Sequence, residues 1–144
     1  MASSPKIPSF DFPALVSGLW LPMLFWTAAV ILVTLMGAPG VICITPMAWL
    51  LAIPAGQKVV NGSRSQKDSH KIGQAAAAGA FLGMYQGILF LLIGLLLAPG
   101  GPPVQEGMLM YGLTIGVAGL FICGGLAAFF GAIQNNQNKN RKQR

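Results

Sequence analysis

The chain has 144 residues, of which nine are Lys or Arg and three are Asp or Glu. Charged residues make up 8% of it and apolar residues 54%, whereas a soluble domain carries roughly 25% charged residues. This composition excludes a soluble enzyme, a disordered chain and a disulfide-stabilised secreted module. No charge falls between Asp11 and Lys58, between Lys71 and Glu106, or between Glu106 and Lys139. Each gap exceeds the ~20 apolar residues that one membrane-crossing helix needs, so we expect an integral membrane protein.

The apolar stretches predict four transmembrane helices in a single domain. The first is too long for the apolar core of a cleaved signal peptide, which has roughly 7–15 residues. The Gly37-Ala38-Pro39-Gly40 turn signal ends it, and a Pro/Gly-rich loop separates the third helix from the fourth. In chain order, the prediction is span 14–36, span 38–56, basic loop 57–73, span 74–97, span 108–133 and a disordered basic tail, 134–144.

The second span is the least regular of the four. Pro46 lies near its middle and Pro54 near its end. Pro46 has no N–H to donate to the Ile42 carbonyl, which predicts a kink at that point. A re-entrant half-helix is the alternative for this segment, but it would return the chain to the outer face and put the four cations of the basic loop outside.

Orientation follows from the positions of the cations. With four spans, the N-terminus, the basic loop and the tail share one side, and together they contain all nine Lys and Arg residues. The positive-inside rule makes that side cytoplasmic. The predicted fold is therefore all-α, with four transmembrane helices arranged as two antiparallel hairpins and both termini inside. We expect the location to be a bacterial plasma membrane.

Small residues recur at helical spacing in the last two spans, as lipid-embedded helices require for close packing. The short loop between these spans predicts that the two stripes pack against each other; contact with another subunit is the alternative. The predicted packing residues are Ala75, Gly79, Gly83 and Gly87 on the third span and Gly112, Gly116 and Gly119 on the fourth.

No ionisable residue other than cysteine and tyrosine falls inside a predicted span, which argues against a proton relay or ion-coupled transport. The single histidine, His70, lies in the basic loop. From their separate depths we expect Cys43 and Cys123 to be free thiols. The sequence has no nucleophile, phosphate-binding or zinc motif. We therefore predict no catalytic residues, no metal site and no cofactor, and hence no enzyme.

Three polar residues are predicted near the membrane midplane: Gln86, Thr27 and Thr45. A Gln amide in hydrocarbon needs hydrogen-bond partners. The structural interpretation is a bond from Gln86 to one of the threonines or to a carbonyl freed by Pro46. The functional interpretation is that Gln86 lines a polar pathway or a ligand site.

The basic residues of the loop and tail are expected to contact anionic lipid headgroups. Nucleic-acid binding is not expected, because the tail lacks aromatic residues for base stacking. The predicted headgroup contacts are Lys58, Arg64, Lys67, Lys71, Lys139, Arg141, Lys142 and Arg144.

These features favour a non-catalytic accessory, assembly or interaction subunit of a larger membrane complex. Its expected partners are the lipid bilayer and other membrane subunits or further copies of the chain. The alternative is an oligomeric small channel, a holin-like pore or a uniport-like carrier, with Gln86 at the midplane.

The predicted topology can be tested with reporter fusions at each end of the chain. Because all nine cations share one predicted face, a reporter active only in the cytoplasm should be active at both termini. A reporter active only outside should be silent at both. If the reporter that works only outside the cell were active when fused to the C-terminus, the four-span arrangement would be contradicted.

Overall fold

The computed structural model describes residues 11–36, 39–64, 67–97 and 102–143. Within these ranges the chain is helical and contains no strand. The helices are α1 (Phe12–Met36), α2 (Pro39–Leu50), α3 (Ala52–Gly62), α4 (Asp68–Leu97) and α5 (Pro102–Lys142). The centres of the two predicted hairpin turns, at 37–38 and 98–101, lie outside the described residues.

Three helices are long and apolar enough to cross a membrane: α1, α4 and α5. Large apolar side chains remain exposed on their outer faces, for example Phe25 on α1, Leu96 on α4 and Phe121 on α5. A soluble protein would bury such side chains, whereas hydrocarbon solvates them. The predicted all-helical class is confirmed for the described residues, and these three helices fit the predicted membrane protein.

The segment predicted as the second span forms two helices, α2 and α3, rather than one. The interruption lies at Leu51, whose N–H bonds to the Ala48 carbonyl at 3.0 Å, one residue short of the α-helical spacing. Pro54 explains this position, since it has no N–H for the Leu50 carbonyl and its ring crowds that carbonyl. Pro46, where a kink was expected, lies inside α2.

Contacts place α2 and α3 together along the length of α5. Thr45 on α2 bonds to Tyr111 near the start of α5, at 3.1 Å. Near the end of both helices, Asn138 of α5 donates to Asn61 of α3 at 2.8 Å. Helices α2 and α3 together cover residues 39–62, which is about 35 Å of helix. They therefore lie beside α5 over a length comparable with the ~30 Å hydrocarbon core.

Helices α4 and α5 are antiparallel and approach each other through glycines. A Cβ atom on Gly83 would overlap the Gly119 backbone, and one on Gly79 would overlap the Cys123 carbonyl. Farther along, Gly87 lies against Gly116 and Gly112. The two predicted stripes of small residues therefore face each other within one chain.

The same strip of α5 also receives α3. A Cβ on Gly56 would lie 2.5 Å from the Ala127 carbonyl oxygen, while Gly79 of α4 meets Ala127 from the other side. Ala127 is fully buried at this junction of three helices, beside the buried Ala52 and Leu82. A second core cluster, around Trp26 and Phe90, joins α1 and α2 to the other halves of α4 and α5.

The polar segments at the ends of the spans are more ordered than expected. The predicted basic loop 57–73 is largely helical, because α3 continues to Gly62 and α4 begins at Asp68. The predicted disordered tail is instead the C-terminal part of α5, which continues to Lys142. Composition suggested disorder for 134–144, but the side chains of this segment have partners on α3 and α4, described below.

The glycine contact between α4 and α5 predicts a large effect from adding one methyl group. Gly83→Ala should lower stability by about 1–3 kcal/mol, because a Cβ there forces the two backbones apart. Thermal unfolding in mild detergent measures the change. Gly125→Ala is the matched control, since Gly125 is on α5 with open space around its Cα. Equal melting temperatures for the two variants would contradict close backbone packing as the basis of this contact.

Candidate functional site

One end of the helix bundle collects the charged residues, and we call it the basic end. It is formed by the start of α1, the end of α3, the start of α4 and the end of α5. Ala14 of α1 packs against Gly62 of α3, and Asn135 of α5 bonds to Asp68 of α4. Every Lys or Arg side chain that the structure describes lies here: Lys58, Arg64, Lys67, Lys71, Lys139 and Arg141.

Asp68 joins the start of α4 to the end of α5. Asn135 Nδ2 donates to Asp68 Oδ1 at 2.8 Å, and Lys139 forms an ion pair with Asp68 Oδ2. Asp68 precedes the apolar part of α4, and its position in the first helical turn suits a negative charge. The hydrogen bonds from Asn135 and Lys139 lower the pKa of Asp68 below its ordinary value of 3.8. The carboxylate is therefore ionised at neutral pH.

Further hydrogen bonds hold α3 to its neighbours at the same end. Ser63 Oγ donates to Gln74 Oε1 at 2.8 Å, and both side chains are buried. The Arg64 backbone N–H donates to Asp11 Oδ2 at 2.7 Å, which connects the end of α3 to the start of α1. Together with the bond between Asn61 and Asn138, these contacts link all four helix ends.

The cations of the basic end remain available to solvent or lipid. Lys67 and Arg141 are exposed, and the Lys139 side chain is 54% exposed even though it pairs with Asp68. Lys58 Nζ lies 5.8 Å from the centre of the Trp20 ring, within the range of a cation–π contact. Of the predicted headgroup residues, Arg144 and the Lys142 side chain lie outside the described parts of the chain.

The midplane polar residues are arranged differently from the prediction. Thr27 Oγ1 donates to the Met23 carbonyl at 2.7 Å and accepts from the Tyr85 hydroxyl at 2.6 Å. Thr45 pairs with the Tyr111 hydroxyl. The two threonines thus bond to tyrosines, and the predicted bond from Gln86 to a threonine is absent. The signal that would have identified these partners is that both tyrosines of the chain fall within apolar segments.

Gln86 is fully buried, and neither atom of its amide has a hydrogen-bond partner among the described residues. The buried indole nitrogens of Trp26 and Trp49 likewise lack one. A buried amide without a partner costs about 1–3 kcal/mol. The centre of the bundle therefore holds hydrogen-bonding capacity that the described protein groups leave unused.

Cys123 is a free thiol buried between α4 and α5; the Cys43 side chain lies outside the described set. Within the described residues, no three His, Cys, Asp or Glu side chains form a group that could hold a metal ion. The structure instead contains a hydrogen-bonded basic end that adjoins a packed apolar helix bundle.

No protein-family model matches this sequence, and comparison with curated proteins and with solved structures gives no match.

The contacts of Asp68 predict how the end of α5 is held. Asn135→Ala removes the bond from a side chain that is only 4% exposed, so amide hydrogen exchange over residues 134–142 should accelerate by roughly tenfold. Acidification should also loosen the end of α5. The folded pKa of Asp68 is below 3.8, so the stabilisation that its carboxylate contributes is fully present above pH 3.8 and is lost as the pH falls through the folded pKa.

Asn136→Ala is the control for this measurement, since Asn136 is exposed on the same turn. It should leave the exchange rates nearly unchanged. Equal acceleration in both variants would mean that the end of α5 is not held by Asp68.

Proposed function

We propose that the chain crosses the bilayer four times, with α2 and α3 together forming the second crossing. The contacts from Thr45–Tyr111 to Asn61–Asn138 support this. They hold α2 and α3, together about 35 Å of helix, beside α5 over a length comparable with the hydrocarbon thickness. A re-entrant half-helix would have left one end of α5 without a neighbour from this segment. Under the positive-inside rule the basic end, with both termini, faces the cytoplasm of a bacterial cell.

Within this arrangement we propose a non-catalytic accessory or assembly subunit of a larger membrane complex. The observation that supports it most directly is the hydrogen-bonded basic end. A tail whose only task was to set orientation would need no fixed geometry. Here the contacts of Asp68 with Asn135 and Lys139 hold the end of α5 against α4. The exposed Lys67 and Arg141 lie at these same helix ends.

Cations carried on ordered helix ends suit the recognition of an acidic protein surface. Electrostatic complementarity contributes mainly specificity and orientation, and a preordered surface loses less conformational entropy when a partner binds. The hydrogen-bonded helix ends supply that order. The exposed apolar side chains of α1 and α5, such as Phe25 and Phe121, provide the lipid-depth surfaces against which helices of a partner would pack.

Copurification in mild detergent tests this proposal. The tagged chain should retain a membrane protein with an acidic cytoplasmic surface in fixed stoichiometry. Raising the salt concentration to about 1 M, where the Debye length falls to about 3 Å, should release it. The double variant Lys67→Gln with Arg141→Gln should lose the partner at low salt, because it removes two exposed cations without touching the hydrogen-bonded network.

The matched control is Asn136→Asp with Asn140→Asp, which lowers the net charge of the same end by the same amount while keeping every cation. It should retain more of the partner than the Gln double variant does. Equal loss from both variants would mean that net charge, rather than the positions of Lys67 and Arg141, governs the association.

A second candidate function is favoured by one observation: the amide of Gln86 is fully buried and has no hydrogen-bond partner among the described residues. An oligomeric channel or uniport-like carrier would use such an amide to line a polar path. In that case the chain would purify without a partner as a homo-oligomer, and it would carry solute flux in liposomes that Gln86→Leu abolishes. This outcome would overturn the subunit proposal.

A further inference from the structure

A groove of about 440 Å³ opens on the outer surface between α1 and α3. Its walls are apolar and include Leu21, Phe25, Leu51 and Pro54. Lys58 is the charged residue among those that line it. The groove is therefore an apolar trough with one cation.

The dimensions of this groove match half of a membrane. Along α1 the lining extends from Gly18 to Ala28, which is about 15 Å of helix. The hydrocarbon core is about 30 Å thick, so the trough covers the depth of a single leaflet. At its floor the two helices come close, since a Cβ on Gly18 would lie 2.5 Å from Val59 Cγ2.

Lys58 lies at the end of the groove that is nearest to the predicted headgroup region. Lys58 lies toward the basic end on α3, and its Nζ is 5.8 Å from the Trp20 ring centre. Tryptophan rings are enriched at the depth of lipid headgroups. Lys139–Asp68 is the one ion pair among the described residues. Within that part of the chain, no carboxylate pairs with Lys58. The opposite end, around Ala28 and Leu51, is apolar.

A second groove provides a comparison within the same molecule. It lies between α1 and α4, has a volume of about 450 Å³, and is lined by residues such as Leu15, Met23, Ala77 and Phe81. None of the described residues that line it is charged. The two grooves thus offer similar apolar volume beside the same helix, but only the first combines that volume with a cation.

We propose that the α1–α3 groove binds an anionic phospholipid, with one acyl chain in the trough and the phosphate on Lys58. Apolar walls accept an acyl chain of any lipid, while the uncompensated ammonium selects a headgroup with net negative charge. This inference rests on the proposed embedding of α1 and α3 in the bilayer. It does not depend on the subunit role or on which face is cytoplasmic.

Lipid retention measured by native mass spectrometry tests the site. The protein is reconstituted with equal amounts of phosphatidylglycerol and phosphatidylcholine and is then released into mild detergent. Wild type should retain one phosphatidylglycerol in preference to phosphatidylcholine. Lys58→Gln should reduce that preference about fivefold, as expected for one cation near the surface, and Lys58→Arg should preserve it.

Two controls separate the groove from general surface charge and general apolar contact. Arg64→Gln removes an exposed cation of the basic end that does not line the groove, and it should leave the preference unchanged. Ala28→Trp should fill the α1–α3 trough and remove the retained lipid. Ala77→Trp, the equivalent change in the α1–α4 groove, should not affect retention of phosphatidylglycerol.

Three results would overturn the proposal. These are equal retention of the two lipids by wild type, equal effects of Lys58→Gln and Arg64→Gln, and a dimer of the chain that carries no lipid and is disrupted by Ala28→Trp. Failure of the proposed function is distinguishable, because absence of a copurifying partner, or a C-terminus located outside, leaves the lipid preference unchanged.

Discussion

The close approach of the α4 and α5 backbones is the contact on which the rest of the bundle depends. Hydrocarbon offers helices no hydrophobic gain on association, so packing must supply the attraction. Glycines at 79, 83 and 87 allow α4 to lie directly on the α5 backbone. The same strip of α5 accepts α3 at Gly56. A single helix face of α5 therefore fixes the positions of two neighbours, which in turn hold α1.

This packing also determines the geometry of the basic end. Because α4 and α5 are antiparallel and in fixed register, Asp68 at the start of one helix meets Asn135 and Lys139 near the end of the other. The α3 contact brings Asn61 to Asn138 in the same way. Charges from separate parts of the chain thus form one surface, and it is this surface that the proposed partner and the proposed lipid would approach.

The outcome of individual predictions shows where local reasoning is sufficient. Proline chemistry predicted an irregular second span, yet the interruption lies five residues after Pro46, at Leu51, because Pro54 acts on the Leu50 carbonyl. Gln86 was expected to bond to Thr27, to Thr45 or to a carbonyl freed by Pro46. Instead, the two threonines pair with tyrosine hydroxyls. Which side chains meet across helices depends on rotation and register, and neither is encoded in one segment alone.

By itself, the sequence determined the helical membrane class, because the length of an apolar run and the absence of charge within it act segment by segment. It also indicated the small-residue faces, since their spacing is a property of one helix. Only the tertiary structure decided the helical form of residues 134–142, the burial of Gln86 with no hydrogen-bond partner among the described residues, and the groove beside Lys58. Each of these depends on contacts between residues that are distant in the chain, which exist only when the helices pack in one register.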